Sequence, residues 1–194
     1  MTKRKGLTIA DVNAFKTELE KQTDRGVGIV GAAIVEDILE WVIECRLTDI
    51  SKTRLESLFG RMRPLSSFSA KIELGMALGL YDDPLRIALN VIRDVRNQFA
   101  HEMEALDFNY SEISKLILAT RSPHIKEDLS VRNSFITMVY AALVLLQAEG
   151  QEDIRIKPLV DTHRRLFLQL ATHAQEMQQA QGSTHKGPQL PEKK

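Results

Sequence analysis

Apolar residues recur at three- and four-residue steps along almost all of this chain, and that spacing excludes most folds at once. A helix turns every 3.6 residues, so side chains three or four apart share a face, whereas a half-buried strand alternates in and out. Leu85, Leu89, Ile92, Val95 and Phe99 run down one such face behind an Asp83-Pro84 start, read as acid at N-cap and proline at the first position. Ile9, Val12, Phe15 and Leu19 form another behind a capping Thr8, with Asp11 in the first turn. Val30, Ala33, Ile34, Ile38, Trp41, Val42 and Cys45 form a longer, more apolar stripe after Gly26 and Gly28, which read as punctuation. A short segment around Leu55, Leu58 and Phe59 is closed by Gly60 and Pro64. Ser66 or Ser67 then caps a helix with Phe68, Ile72, Leu74 and Leu78 on its face, ending at Gly79. Ile113, Leu116 and Ile117 follow an Asp107–Tyr110 break, and Val131 through Leu146 carry the next stripe after an Arg121–His124 connector. Pro158 opens a last helix with Leu159, Leu166, Phe167 and Leu170.

No internal repeat and no period-two strand is present in the sequence. The expectation is an all-α, single-domain helical bundle of seven or eight helices spanning residues 8–174, after a flexible N-terminus (1–7). Residues 175–194 are rich in Gln and then Gly, Pro and Lys, and read as a disordered tail. Lys+Arg 26 against Asp+Glu 26 leaves no net charge, so a nucleic-acid role would need a local patch. The single cysteine, Cys45, excludes an intramolecular disulfide and lies on an apolar pattern that predicts a buried thiol. No apolar run reads as long enough to cross a bilayer, which needs about 18 residues. The basic start lacks the apolar stretch of a secretion signal, so the expected location is cytoplasmic, without membrane attachment.

Chemistry concentrates in Asp94-Val95-Arg96-Asn97-Gln98-Phe99-Ala100-His101, at the end of the Pro84 helix. Arg93, Asn97 and His101 stand at successive four-residue steps and form one stripe, while Arg96 flanks the apolar ridge on its other side. Arg96 and His101 are about 140° apart on an ideal helix and do not share a face unless the helix loosens near Ala100. Three uses remain open for Asp94, Arg96, Asn97 and His101. They can form an internal hydrogen-bonded cluster at a helix end, bind a ligand or partner, or carry out proton transfer beside a phosphate. Glu36, Glu40 and Glu44 repeat at four-residue steps with Asp37 beside them. This pattern usually marks a solvated face, and with no histidine on the helix it disfavours a metal. Arg46, Lys52, Arg54, Arg61, Arg63 and Lys71 outnumber Asp49 and Glu56 in the next stretch. That surplus could meet phosphate, but it lacks interleaved aromatics and any helix-turn-helix signature, so a solvated basic face is favoured. His124, His163, His173 and His185 show no metal-ligand spacing, and neither metal nor cofactor is expected.

Arg96-Asn97-x-x-Ala100-His101 resembles the Arg-x4–6-His signature of HEPN domains, helical modules that include many dimeric ribonucleases. The wider context resembles the mannitol operon repressor (MtlR-like) family. There a Glu-x-x-x-Glu helix is matched by Glu36 and Glu40, and a Leu-Ser…Gly-Leu-Gly-like segment by Leu65-Ser66 through Lys71-Ile72-Glu73-Leu74-Gly75-Met76-Ala77-Leu78-Gly79-Leu80. The later Arg-x4-His is matched by Arg96 and His101. The resemblance covers roughly residues 27–120. It implies a regulator of the type that represses transcription of mannitol uptake, acting through protein–protein contacts, with Glu36 and Glu40 paired to Arg96 and tuning His101. The alternative it implies is a metal-independent endoribonuclease, in which Arg96 clamps phosphate, Asn97 orients and His101 transfers protons. One histidine cannot readily be both acid and base, so that mechanism favours a homodimer with two motifs meeting.

Overall fold

The computed structural model describes residues 6–47, 51–102, 106–120 and 129–150. The described residues form seven helices and no strand: α1 (Ile9–Glu20), α2 (Asp24–Arg46), α3 (Lys52–Phe59), α4 (Phe68–Ala77), α5 (Asp83–His101), α6 (Ser111–Leu118) and α7 (Val131–Gly150). The protein is an all-α bundle, as the periodicity predicts. The helix beginning at Pro158, the 121–124 connector and the 175–194 tail lie outside the described residues.

Three long helices, α2, α5 and α7, pack on one another, with α1, α4 and α6 around them. The predicted face of α5 is buried in full: Leu85, Leu89, Ile92, Val95 and Phe99. Phe99 meets Phe108 edge-on at 5.1 Å between centroids, and Phe108 meets Phe135 of α7 at 5.3 Å. The 107–110 break between α5 and α6 therefore carries a core aromatic, and its bend aims Phe108 inward. One described helix, α7, is long and apolar enough by length and composition to cross a membrane, contrary to the expectation of no such run. In this fold, 61% of that stretch is buried inside the protein.

Local sequence explains most helix ends. Thr8 and Asp11 form a reciprocal capping box, and Thr23, Ser51 and Ser67 each accept a backbone N–H of the first turn through their hydroxyls. The start of α5 differs from expectation. Asp82 is the N-cap and makes no side-chain cap, while Asp83 lies in the first turn and accepts from Arg86 Nε at 3.0 Å. A carboxylate there still favours the positive end of the helix dipole.

The start and phase of α2 also need correction. Gly26 and Gly28 do not punctuate; the helix begins at Asp24 and runs through both. Gly28 is buried because a Cβ there would enter the ring of Phe99, so its lack of a side chain lets α2 and α5 approach. The buried residues are Val27, Gly28, Gly31, Ala32, Val35, Ile38, Leu39, Trp41, Val42 and Ile43; Ile38, Trp41 and Val42 are buried as expected, while Val30, Ala33 and Cys45 are exposed. The expected buried thiol is thus at the surface. Small residues, Gly28, Gly31 and Ala32, mark the true contact face, and a reading weighted towards large apolar side chains passes over them.

Candidate functional site

Glu36 and Glu40 sit one turn apart on α2, at the edge of its buried stripe. Lys71 of α4 reaches between them: its Nζ is 2.8 Å from Glu36 Oε1 and 2.7 Å from Glu40 Oε2. Its side chain is only 7% exposed, against 18% and 21% for the two glutamates. Glu36 Oε2 also accepts from Arg96 Nη2 of α5 at 3.3 Å, and Arg96 Nη1 donates to Asn97 Oδ1 at 3.2 Å. The chain Glu40–Lys71–Glu36–Arg96–Asn97 therefore ties α2, α4 and α5 together, with two acids balancing two bases. Burial on its own would depress the Lys71 ammonium; the two carboxylates outweigh it and hold the group above the usual lysine value.

The resemblance implied that Glu36 and Glu40 both face Arg96. Glu36 does so, whereas Glu40 pairs with Lys71. The carboxylate stripe is consequently not a wholly solvated face. Nor does Lys71 belong to the solvated basic face expected between Arg46 and Lys71. The signal that could have found it is its place in the α4 stripe: Phe68, Lys71, Ile72 and Gly75 fall at helical steps, and all four are buried. An ammonium on a buried stripe requires opposing carboxylates, because an isolated charge there is strongly disfavoured.

The rest of the motif divides. Arg93 closes on its neighbour Asp94 through Nε at 3.0 Å and Nη2 at 2.7 Å, so Asp94 does not join Arg96. His101 is exposed in the last turn of α5 and makes no hydrogen bond to a described residue. Helix α5 continues through Ala100, so the loosening that would bring His101 toward Arg96 is not seen. The structure brings together Glu36, Glu40, Lys71, Arg96 and Asn97, and leaves Arg93–Asp94 and His101 outside that chain.

Two further contacts hold the scaffold. Tyr81 Oη donates to Ile72 O at 2.7 Å. Burial pushes its phenol well above the ordinary range; Glu73 adds to this and Arg86 opposes it. Arg132 of α7 donates to Asp24 Oδ1 at 2.9 Å and to the carbonyls of Glu20 and Gln22, while Asp24 Oδ2 accepts the Phe108 N–H. No cluster of three or more His, Cys, Asp or Glu among the described residues is arranged to hold a metal ion. A cavity of about 300 Å³ lies between the α4–α5 turn and the end of α7, lined by Tyr81, Asp82, Leu85, Leu145 and Glu149, among others. Gly79 and Leu80 of the Leu65–Leu80 segment line it, but none of Glu36, Glu40, Arg96, Asn97 and His101 does. Compared with family models, curated proteins and solved structures, the chain matches none.

Proposed function

We propose that this protein is a non-enzymatic regulator of the mannitol operon repressor type, a cytoplasmic homodimer that represses transcription through contacts with other proteins. The observation that carries this reading is the commitment of Arg96 to Glu36 and Asn97, within a chain whose other cation, Lys71, is held by two carboxylates. A guanidinium already neutralised and hydrogen-bonded offers little to a phosphate, and its partner histidine is not beside it. Residues matching the family pattern then act as a brace between helices.

The exposure of His101 favours a second reading, a metal-independent endoribonuclease across a homodimer. One His101 would take the proton of the 2′-hydroxyl as it attacks phosphorus. The partner's His101 would protonate the departing 5′-oxygen, giving a 2′,3′-cyclic phosphate and a 5′-hydroxyl. Deleting the gene in its host and measuring transcripts of the mannitol-uptake operon separates the two. The regulator reading expects transcripts to rise and the purified protein to leave RNA intact. Unchanged transcripts, with RNA cleavage lost in Arg96→Ala and His101→Ala, would replace it with the nuclease.

A further inference from the structure

The basic stretch around α3 is unlike the rest of the bundle. Helix α3 contains no buried residue, and Phe59 is its one side chain packed against the core. Between residues 51 and 67 stand Lys52, Arg54, Arg61 and Arg63 against the single acid Glu56, in a chain with no net charge. Lys52 pairs with Glu56 at 3.8 Å. Arg54, Arg61 and Arg63 are exposed and form no ion pair with a described residue.

Their presentation is set by a tight turn. Arg63 N–H donates to Gly60 O at 3.1 Å, and Leu65 N–H reaches back to Leu58 O at 2.9 Å. The third residue of that turn, Met62, has φ 60°, the single positive φ among described non-glycine residues, and is 92% exposed. Glycine or asparagine suits such a position, because a Cβ there is crowded by the backbone. Methionine gains nothing in return from packing, since it touches no core. The fold thus holds an apolar, flexible side chain outward between two arginines at a position where glycine would serve it better.

We infer that the α3 arm, with Met62 at its tip and Arg54, Arg61 and Arg63 around it, is a docking surface for an acidic protein segment carrying an apolar side chain. Charge complementarity selects the acid: three guanidiniums that pair with no described carboxylate concentrate positive charge on a neutral protein, and arginine takes carboxylates two-pronged. Methionine and arginine are both enriched at protein interfaces, where a desolvated apolar contact supplies affinity and the surrounding charges supply orientation. A nucleic-acid backbone has no use for the methionine, and the arm's one aromatic ring, Phe59, is packed against the core. A single methionine is too small an anchor for a lipid surface. This surface deepens the regulator reading by naming the kind of partner, and therefore rests on it.

The test uses the full chain and fluorescence anisotropy with a labelled peptide of alternating glutamate and leucine. Its controls are the glutamine-for-glutamate peptide, a single-stranded RNA and phosphatidylserine vesicles. Wild type should bind the acidic peptide, weaken about tenfold as salt rises across the range where exposed charges become screened, and ignore the glutamine peptide. Arg61→Gln with Arg63→Gln should abolish binding. Met62→Gly should weaken it about fivefold, as loss of an interface contact does, at a melting temperature no lower than that of wild type. No binding, equal binding of the two peptides, full binding by Met62→Gly, or preference for RNA or vesicles would overturn the proposal. Complementation of the deleted host separates the failures. A Met62→Gly, Arg61→Gln, Arg63→Gln chain that still represses removes the surface and leaves the regulator. If the deletion changes no transcript, the regulator reading falls, whatever the peptide does.

Discussion

Lys71 and Arg61 belong to one basic run of sequence, yet they end in opposite surroundings. Lys71 is 7% exposed and clasped by two carboxylates; Arg61 is exposed on an arm that barely touches the bundle. The difference shows that a basic run carries no single meaning. Where helical phase turns a lysine inward, its charge must be matched, and it becomes a brace between helices. Where the backbone turns outward, the same chemistry is left available to a partner.

The strongest way to break this contrast is Lys71→Met. It leaves Glu36 and Glu40 facing each other with less compensation, and losing one partner of a buried ion pair costs about 3 kcal/mol or more. Because both glutamates retain some solvent contact, the lower end is expected, about 2–3 kcal/mol by urea unfolding. A loss under about 0.5 kcal/mol, the range of ordinary surface changes, would show that the network is not a brace.

Alkaline titration sharpens the same point. Lys71 and Tyr81 both hold their protons more tightly folded than unfolded. Below the unfolded values, about pH 10 for each, both states are protonated and stability is flat. As pH rises further the unfolded chain releases protons first, so stability falls through the folded values. Urea midpoints followed from about pH 8 to about 11 should show this decline. Lys71→Met should make it shallower while leaving the contribution of Tyr81. An identical slope in the variant would remove Lys71 from the account.

The smallest effects belong to the partly solvated pairs. Arg96 is 35% exposed, so Arg96→Ala should cost about 1 kcal/mol after solvent screening is allowed for. Lys52→Gln, in a surface pair exposed at both ends, should cost about 0.3 kcal/mol or less. If thermal denaturation ranks these two in reverse order, Arg96 is not tied to the brace.

Much of the fold was legible in the sequence because helix period and caps are local. The α5 face from Leu85 to Phe99, the Thr8 and Ser67 caps and the α7 stripe all follow from neighbours within a few residues. The phase of α2 was not, because its closest approaches fall at Gly28 and Gly31, whose burial depends on Phe99 and Val139 arriving from elsewhere. Of the candidate site, the Glu36–Arg96 pair was expected, since the resemblance placed Glu36 and Glu40 with that arginine, whereas the Lys71 link was not. The separation of Arg96 from His101 follows from α5 staying helical through Ala100, as ideal helix geometry already implied, whereas Arg93 and Asp94 stand apart because they pair with each other.

By itself, the sequence determined an all-α architecture, the Thr8 and Ser67 caps and the residues able to carry charge, since these depend on spacing and local hydrogen bonding. Only the tertiary structure decided which charges are neutralised. Lys71 is set between Glu36 and Glu40 by the packing of α4 against α2, and Met62 is left outside because nothing packs over the turn after α3 among the described residues. Charge pairing acts over a few ångströms of space, and residues distant in sequence are brought that close only by the packing of whole helices.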